Sequence, residues 1–160
     1  MKKIYSTLFI VFFLLSQSIA EDTYSEVYNI LQNKCASCHS GSNPSGQLDF
    51  SGTSNFVYSN IFEINPTNPT ALSKKNKIID AGHPEKSYLL RKIAVSAWDE
   101  YYSLEISEGG LMPPYGSTQL SFEEMEIIRQ WILRGAPMTG DVVDNQIIND
   151  YYSGMGLPKI

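Results

Sequence analysis

The chain has 160 residues, 12 basic and 17 acidic, with a formal net charge of −5 and only 2 cysteines and 2 histidines. That acidity makes nucleic acid a poor partner, because a phosphate backbone is bound through clustered Lys and Arg. The length suits one domain with a modest core once a leader is set aside.

Residues 1–20 have the order of an export signal. Lys2 and Lys3 form a basic start, residues 8–15 an apolar run, and Ser18-Ile19-Ala20 a small-residue site for cleavage after Ala20. The run is short for a membrane span, although an uncleaved anchor is the alternative. Residue 21 is Glu and not Cys, so no lipid anchor is expected there. Losing Lys2 and Lys3 leaves the remainder more acidic still, which favours a docking partner rich in Lys or Arg. The expected organisation is a signal over 1–20, a folded domain over 21–138 and a C-terminal tail over 139–160.

Thr23-Tyr24-Ser25-Glu26 has the capping-box pattern, with Thr23 as N-cap. Tyr24, Val27, Tyr28 and Leu31 then fall on one helical face, which predicts a helix running into Asn33-Lys34. It delivers Cys35-Ala36-Ser37-Cys38-His39, which contains both cysteines. C-x-x-C-H is the attachment signature of c-type haem. Each thiol can add to one vinyl group, and the histidine that follows is carried under the ring, where an imidazole nitrogen can bind iron. Haem is attached in this way outside the bacterial cytoplasm, which agrees with an export signal and a periplasmic location. Three other uses of the pair compete. A disulfide across two residues closes a small, strained loop, and a thioredoxin-like pair needs a βαβ context with the first Cys opening a helix. A zinc site lacks the usual H-x₃₋₅-H half, since the other histidine, His83, is far away in sequence.

Gly41 to Gly46 reads as loop, 47–51 as a short extended piece, and Thr53 or Ser54 as the cap of a short helix carrying Phe56, Val57, Ile61 and Phe62. Asn65 to Lys77 holds Pro66 and Pro69 and reads as an exposed loop, with Lys74, Lys75 and Lys77 as a solvated face or a partner contact. Gly82-His83-Pro84-Glu85 predicts a helix start with His83 as N-cap and Pro84 at N1, followed by the stripe Leu89, Leu90, Ile93, Ala94 and Ala97. Trp98, Tyr101 and Tyr102 are expected to pack in the core or against a pocket.

Gly109-Gly110-Leu111-Met112-Pro113-Pro114-Tyr115-Gly116 must pass as a shaped loop, and a methionine held between Gly-Gly and Pro-Pro points to a thioether presented to something. Ser121 and Glu124 form a further capping box. The helix it opens carries Met125, Ile128 and Ile132 on one stripe with Ile127 and Trp131 beside it, ending at Arg134, Gly135 and Pro137. In the tail, Val143, Ile147, Ile148, Tyr151 and Tyr152 fall at near-helical spacing before Gly154, Gly156 and Pro158, and the tail either docks on the body or meets a partner.

In this order the motifs resemble a class I-like cytochrome c domain, and more narrowly the planctomycete-type exported bacterial cytochromes c. The residues that carry the resemblance are Cys35-x-x-Cys38-His39, Gly46-Gln47-Leu48-Asp49, Gly82-His83-Pro84-Glu85-Lys86-Ser87, Met112-Pro113-Pro114 and Trp131-Ile132-x-x-Gly135-Ala136-Pro137. It spans roughly Tyr24 to Pro137. The resemblance implies an all-α, cytochrome c-like fold in which the first and last helices cross around one covalently bound haem c, with long loops between. It also implies Cys35 and Cys38 as covalent attachment points, His39 as proximal and Met112 as distal iron ligand. The alternatives to Met112 are His83, an open site, or another methionine among Met125, Met138 and Met155.

Two strong axial ligands leave iron only an electron to gain or lose, and thioether ligation raises its potential. The expected function is an electron carrier, or the haem subunit of a larger oxidoreductase, serving redox partner proteins and not itself an enzyme. The competing function is a small-ligand sensor or peroxidase-like enzyme with an open or His83-ligated site. Arg91, Arg129 and Arg134 have no assigned place in either, and a zinc-bound or purely structural domain is a third possibility.

Overall fold

The computed structural model describes residues 22–94 and 102–155. The predicted export signal, the positions Ala97, Trp98 and Tyr101, and the tail's Gly156 and Pro158 lie outside the described residues. Those described are all-α, with six α-helices and no strand. Among them, no helix is long and apolar enough to cross a membrane.

Helix α1 (Thr23–Lys34) buries Tyr24, Val27 and Leu31, the face that the spacing predicts, and adds Ile30. Its cap differs from expectation. Asp22 takes the N-cap position, but its side chain caps no helical amide and accepts from Gly140 N (2.5 Å). The Thr23 hydroxyl instead donates to Asp141 Oδ1 (3.0 Å) and accepts from Val142 N (2.9 Å). Helix α2 (Ser54–Ile61) is capped by Thr53, whose side chain accepts from Phe56 N, and buries Val57 and Ile61.

The segment read as an exposed loop holds a short helix, α3 (Pro69–Ser73). Asn68 caps it and Pro69 stands at its first turn, so the proline starts structure here and does not break it. The predicted helix from Pro84 is interrupted. Pro84–Lys86 form a 3₁₀ turn, and α4 (Tyr88–Ile93) begins only after Ser87. Ser87 is fully buried, with its hydroxyl bonded to Asp80 and to the His83 carbonyl. The next amides, Tyr88 N and Leu89 N, donate to the carbonyls of Lys77 and Ile78, so the first turn of α4 is tied to the neighbouring 77–79 segment. That segment is bridged to Phe62 on its other side.

Helix α5 (Phe122–Leu133) opens on the expected Ser121–Glu124 capping box and buries Met125, Ile128, Trp131 and Ile132. It packs against α1 and α4. Tyr24 near the start of α1 stacks on Trp131 near the end of α5, at 5.4 Å between ring centroids. Lys34 at the end of α1 pairs with Glu124 at the start of α5 (3.3 Å), so the two helices run in opposite senses. The tail docks, through α6 (Asn145–Tyr152), against α5.

Candidate functional site

The end of α1 unwinds into the cysteine motif through a tight turn, in which Cys38 N and His39 N both donate to the Cys35 carbonyl (3.2 and 3.0 Å). Both thiols are free, that of Cys35 half-buried and that of Cys38 exposed. Burial, with Cys38 adding to it, pushes the Cys35 thiol up to about 11. A redox-exchange pair needs an attacking thiol shifted downward, so this environment is the opposite of a thioredoxin-like site.

His39 is held by two neighbours. Its Nδ1 lies 2.8 Å from the Ser45 carbonyl oxygen. A carbonyl can only accept, so Nδ1 carries the proton and Nε2 of the neutral ring keeps its lone pair for a metal. The ring also meets Phe50 edge to face at 5.5 Å, and Phe50 N donates to the His39 carbonyl (2.8 Å). Ser45 lies in the loop after the motif and Phe50 in the extended piece that follows it, and their roles depend on a backbone carbonyl and on a ring contact made by folding, which sequence spacing does not display.

Cys35, Cys38 and His39 line a cavity of about 390 Å³ together with Met112. Leu48, Phe50, Ile78, Leu89 and Ile93 form much of its apolar wall. The loop that carries Met112 is pinned from both sides. Met112 N donates to the Lys92 carbonyl (2.7 Å), and the Gln119 amide donates to the carbonyls of Pro113 (3.1 Å), Pro114 (3.3 Å) and Ser117 (3.1 Å). Gly109 opens this loop with φ +81°, and an added Cβ would stand 3.1 Å from Lys92 Nζ. A side chain is therefore disfavoured there by conformation and by space.

Comparison with family models, curated proteins and solved structures finds no match to this chain. The site's chemistry accordingly rests on its own residues. Those residues are of the kinds that haem requires: two free thiols, an imidazole with a fixed tautomer, a thioether on a tethered loop, and apolar side chains lining the same cavity.

The other candidates fall elsewhere. His83 is exposed, 3.3 Å from Glu85 at the 3₁₀ turn, and is not among the cavity-lining residues. Met125 is in the core, while Met138 and Met155 are exposed. Arg91 is committed to Glu108 and Arg129 to Glu126, both in buried pairs. Among the described residues, no three or more His, Cys, Asp and Glu side chains are gathered as an all-protein metal cage requires.

Sequence reasoning left one participant unassigned and passed over two. Glu108 and Lys92 both line the cavity, and Glu108 is salt-bridged to Arg91 and Lys74. Lys74 also pairs with Glu105 (2.8 Å), so the lysine cluster is in part an internal clasp. The available signal was the Glu105-x-x-Glu108 spacing, which forms a capping box around the 3₁₀ turn Ile106–Glu108.

Proposed function

We propose that this chain is an exported mono-haem c-type cytochrome with a class I-like fold, which passes single electrons between redox partner proteins in the bacterial periplasm. The observation that carries the reading is that Met112, distant in sequence, lines the same cavity as Cys35, Cys38 and His39. In this reading Cys35 and Cys38 hold haem c covalently, and His39 and Met112 ligate its iron. Bound there, the group supplies a one-electron couple whose potential is raised by thioether ligation.

The protein's own residues do the rest. The Ser45 carbonyl fixes the His39 ring so that Nε2 is presented as an acceptor. The Lys92 carbonyl and the Gln119 amide keep the Met112 loop at the cavity wall, which lowers the ordering cost of placing a flexible thioether. The apolar wall excludes water, and this reduces the solvent reorganisation that accompanies a change of charge. Engagement of both ligands leaves no open position, so the reading is a carrier and not an enzyme. Its acidic surface would dock a face rich in Lys or Arg.

The test is expression with a haem-attachment system, followed by oxidised and reduced absorption spectra of the wild type and Met112→Ala. A c-type spectrum is expected, with a weak sulfur-to-iron band that disappears in the variant, and carbon monoxide binding only once Met112 is gone. A wild-type protein that lacks the band and binds carbon monoxide directly would favour the sensor or peroxidase-like alternative. A colourless protein would remove the haem reading altogether.

A further inference from the structure

Resting on the haem reading above, we propose that the Lys92 ammonium is the counter-ion of a haem propionate, making a carboxylate subsite in the wall of the cleft. The argument is one of charge. Three cations, Lys74, Arg91 and Lys92, gather around two acids, Glu105 and Glu108, and only Lys74 and Arg91 reach the carboxylates. Arg91 bonds both Glu108 oxygens (2.6 and 2.7 Å), and Lys74 takes Glu108 and Glu105 at 2.8 Å each. The amide of Glu105 adds a further bond to Glu108 (3.0 Å). The Glu108 carboxylate is therefore fully used, and among the described residues Lys92 makes no ion pair.

The Lys92 ammonium instead donates to two backbone carbonyls, of Glu108 (2.7 Å) and Gly110 (2.9 Å), and stands 5.2 Å above the Tyr88 ring. An ammonium has three donors, so one remains for a ligand. This surplus positive charge is placed at the cavity wall of a chain whose net charge is −5. A carboxylate brought by the ligand removes that imbalance. The cavity's other lysine, Lys34, already has Glu124 at 3.3 Å, and the Asn68 side chain is committed to Ser107 O and Ala71 N. Haem's only anionic groups are its propionates, so Lys92 is the residue placed to receive one.

The probe is iron mesoporphyrin, which has no vinyl groups and so cannot join Cys35 or Cys38, together with its dimethyl ester. Each is titrated into the full-length apo-protein, and the ratio of the dissociation constants is read. The wild type is expected to prefer the diacid about tenfold, the size of one partly buried ion pair. Lys92→Gln should bring the ratio close to one, whereas Lys92→Arg and Lys34→Gln should preserve it. A purely structural effect of Lys92, through the loop it holds, would weaken both porphyrins alike and leave the ratio unchanged. Equal affinity of the wild type for both compounds, or an unchanged ratio in Lys92→Gln, would overturn the propionate assignment while leaving the haem reading intact. Failure of the wild type to bind either compound would overturn both.

Discussion

Glu108 makes more polar contacts than its position in an eleven-glycine, loop-rich chain would lead one to expect. Its carboxylate accepts from Arg91, Lys74 and the Glu105 amide, and its carbonyl accepts from the Tyr88 hydroxyl (2.5 Å) and Lys92 Nζ (2.7 Å). The side chain is wholly buried, just upstream of the Met112 loop. These bonds fasten α3, α4 and the loop to one another, so the ligand-bearing segment is held by ions and not by helix. Glu108→Gln keeps the shape and removes the charge, which leaves the Arg91 guanidinium buried without its partner. The expected cost is about 3 kcal/mol of unfolding free energy. In the double variant Glu108→Gln/Arg91→Met the loss should be smaller than the two single losses added together. Urea unfolding of all four proteins checks this, and simple additivity would show that the pair is not coupled.

The last helix joins the fold through side chains that bind backbone. Gln130 on α5 accepts from Asp144 N (2.5 Å) and donates to the Asp144 carbonyl (3.3 Å), while Asp144 caps α6. Tyr151 stacks on Phe122 at 3.5 Å between centroids, and Ile148 is buried. Asp141 and Val142 meet the Thr23 hydroxyl, so the tail ties the start of α1 to α5. Ile148→Ala should therefore destabilise the protein by about 2 kcal/mol, at the low end for a large-to-small change because α6 has a single buried residue. The haem spectrum should not change, and unaltered urea stability would show that α6 contributes nothing to the fold. The helix at 145–152 was legible from the spacing of Ile147, Ile148 and Tyr151, since periodicity records which face is apolar. Its docking was not, because Gln130 and Thr23 are ordinary polar residues until folding places them. Helix α5 was legible in full, for its stripe and its capping box agree. Helix α3 was missed because Pro69 carries the same letter whether it breaks a helix or begins one. The shortened α4 depends on the burial of Ser87, which no local pattern expresses. At the site, Cys35, Cys38, His39 and Met112 stand out as residue types with their own chemistry. Ser45 acts through a carbonyl, and Lys92 through the charges around it.

For the whole molecule, the buried carboxylate gives stability a definite dependence on pH. Burial by itself would raise the pKa of Glu108, but hydrogen bonds from Arg91, the Glu105 amide and Lys74 outweigh it and hold the value down at about 2, against 4.5 for the unperturbed group. The folded protein thus binds this proton less readily than the unfolded chain does. The stabilisation is complete above about pH 4.5 and is lost as pH falls toward 2, where protonation strips Arg91 and Lys74 of their counter-charge. The shift corresponds to a loss on the order of 3 kcal/mol across that window. Lys74 is shifted upward by the same carboxylates, so the cluster as a whole favours its charged form through the neutral range. Equilibrium unfolding of the wild type between pH 5 and 2.5 should therefore show a fall that is largely absent from Glu108→Gln, whose side chain has no proton to take up. The variant is less stable at neutral pH and converges on the wild type in acid, because protonation and substitution remove the same charge. Parallel curves for the two proteins would mean that other carboxylates govern the acid limb and that the cluster behind the Met112 loop is not the molecule's acid-sensitive point. Convergence would place acid lability next to the proposed ligand loop, and in the holoprotein the sulfur-to-iron band should then fade only as the pH nears 2, where the folded protein itself takes up the Glu108 proton.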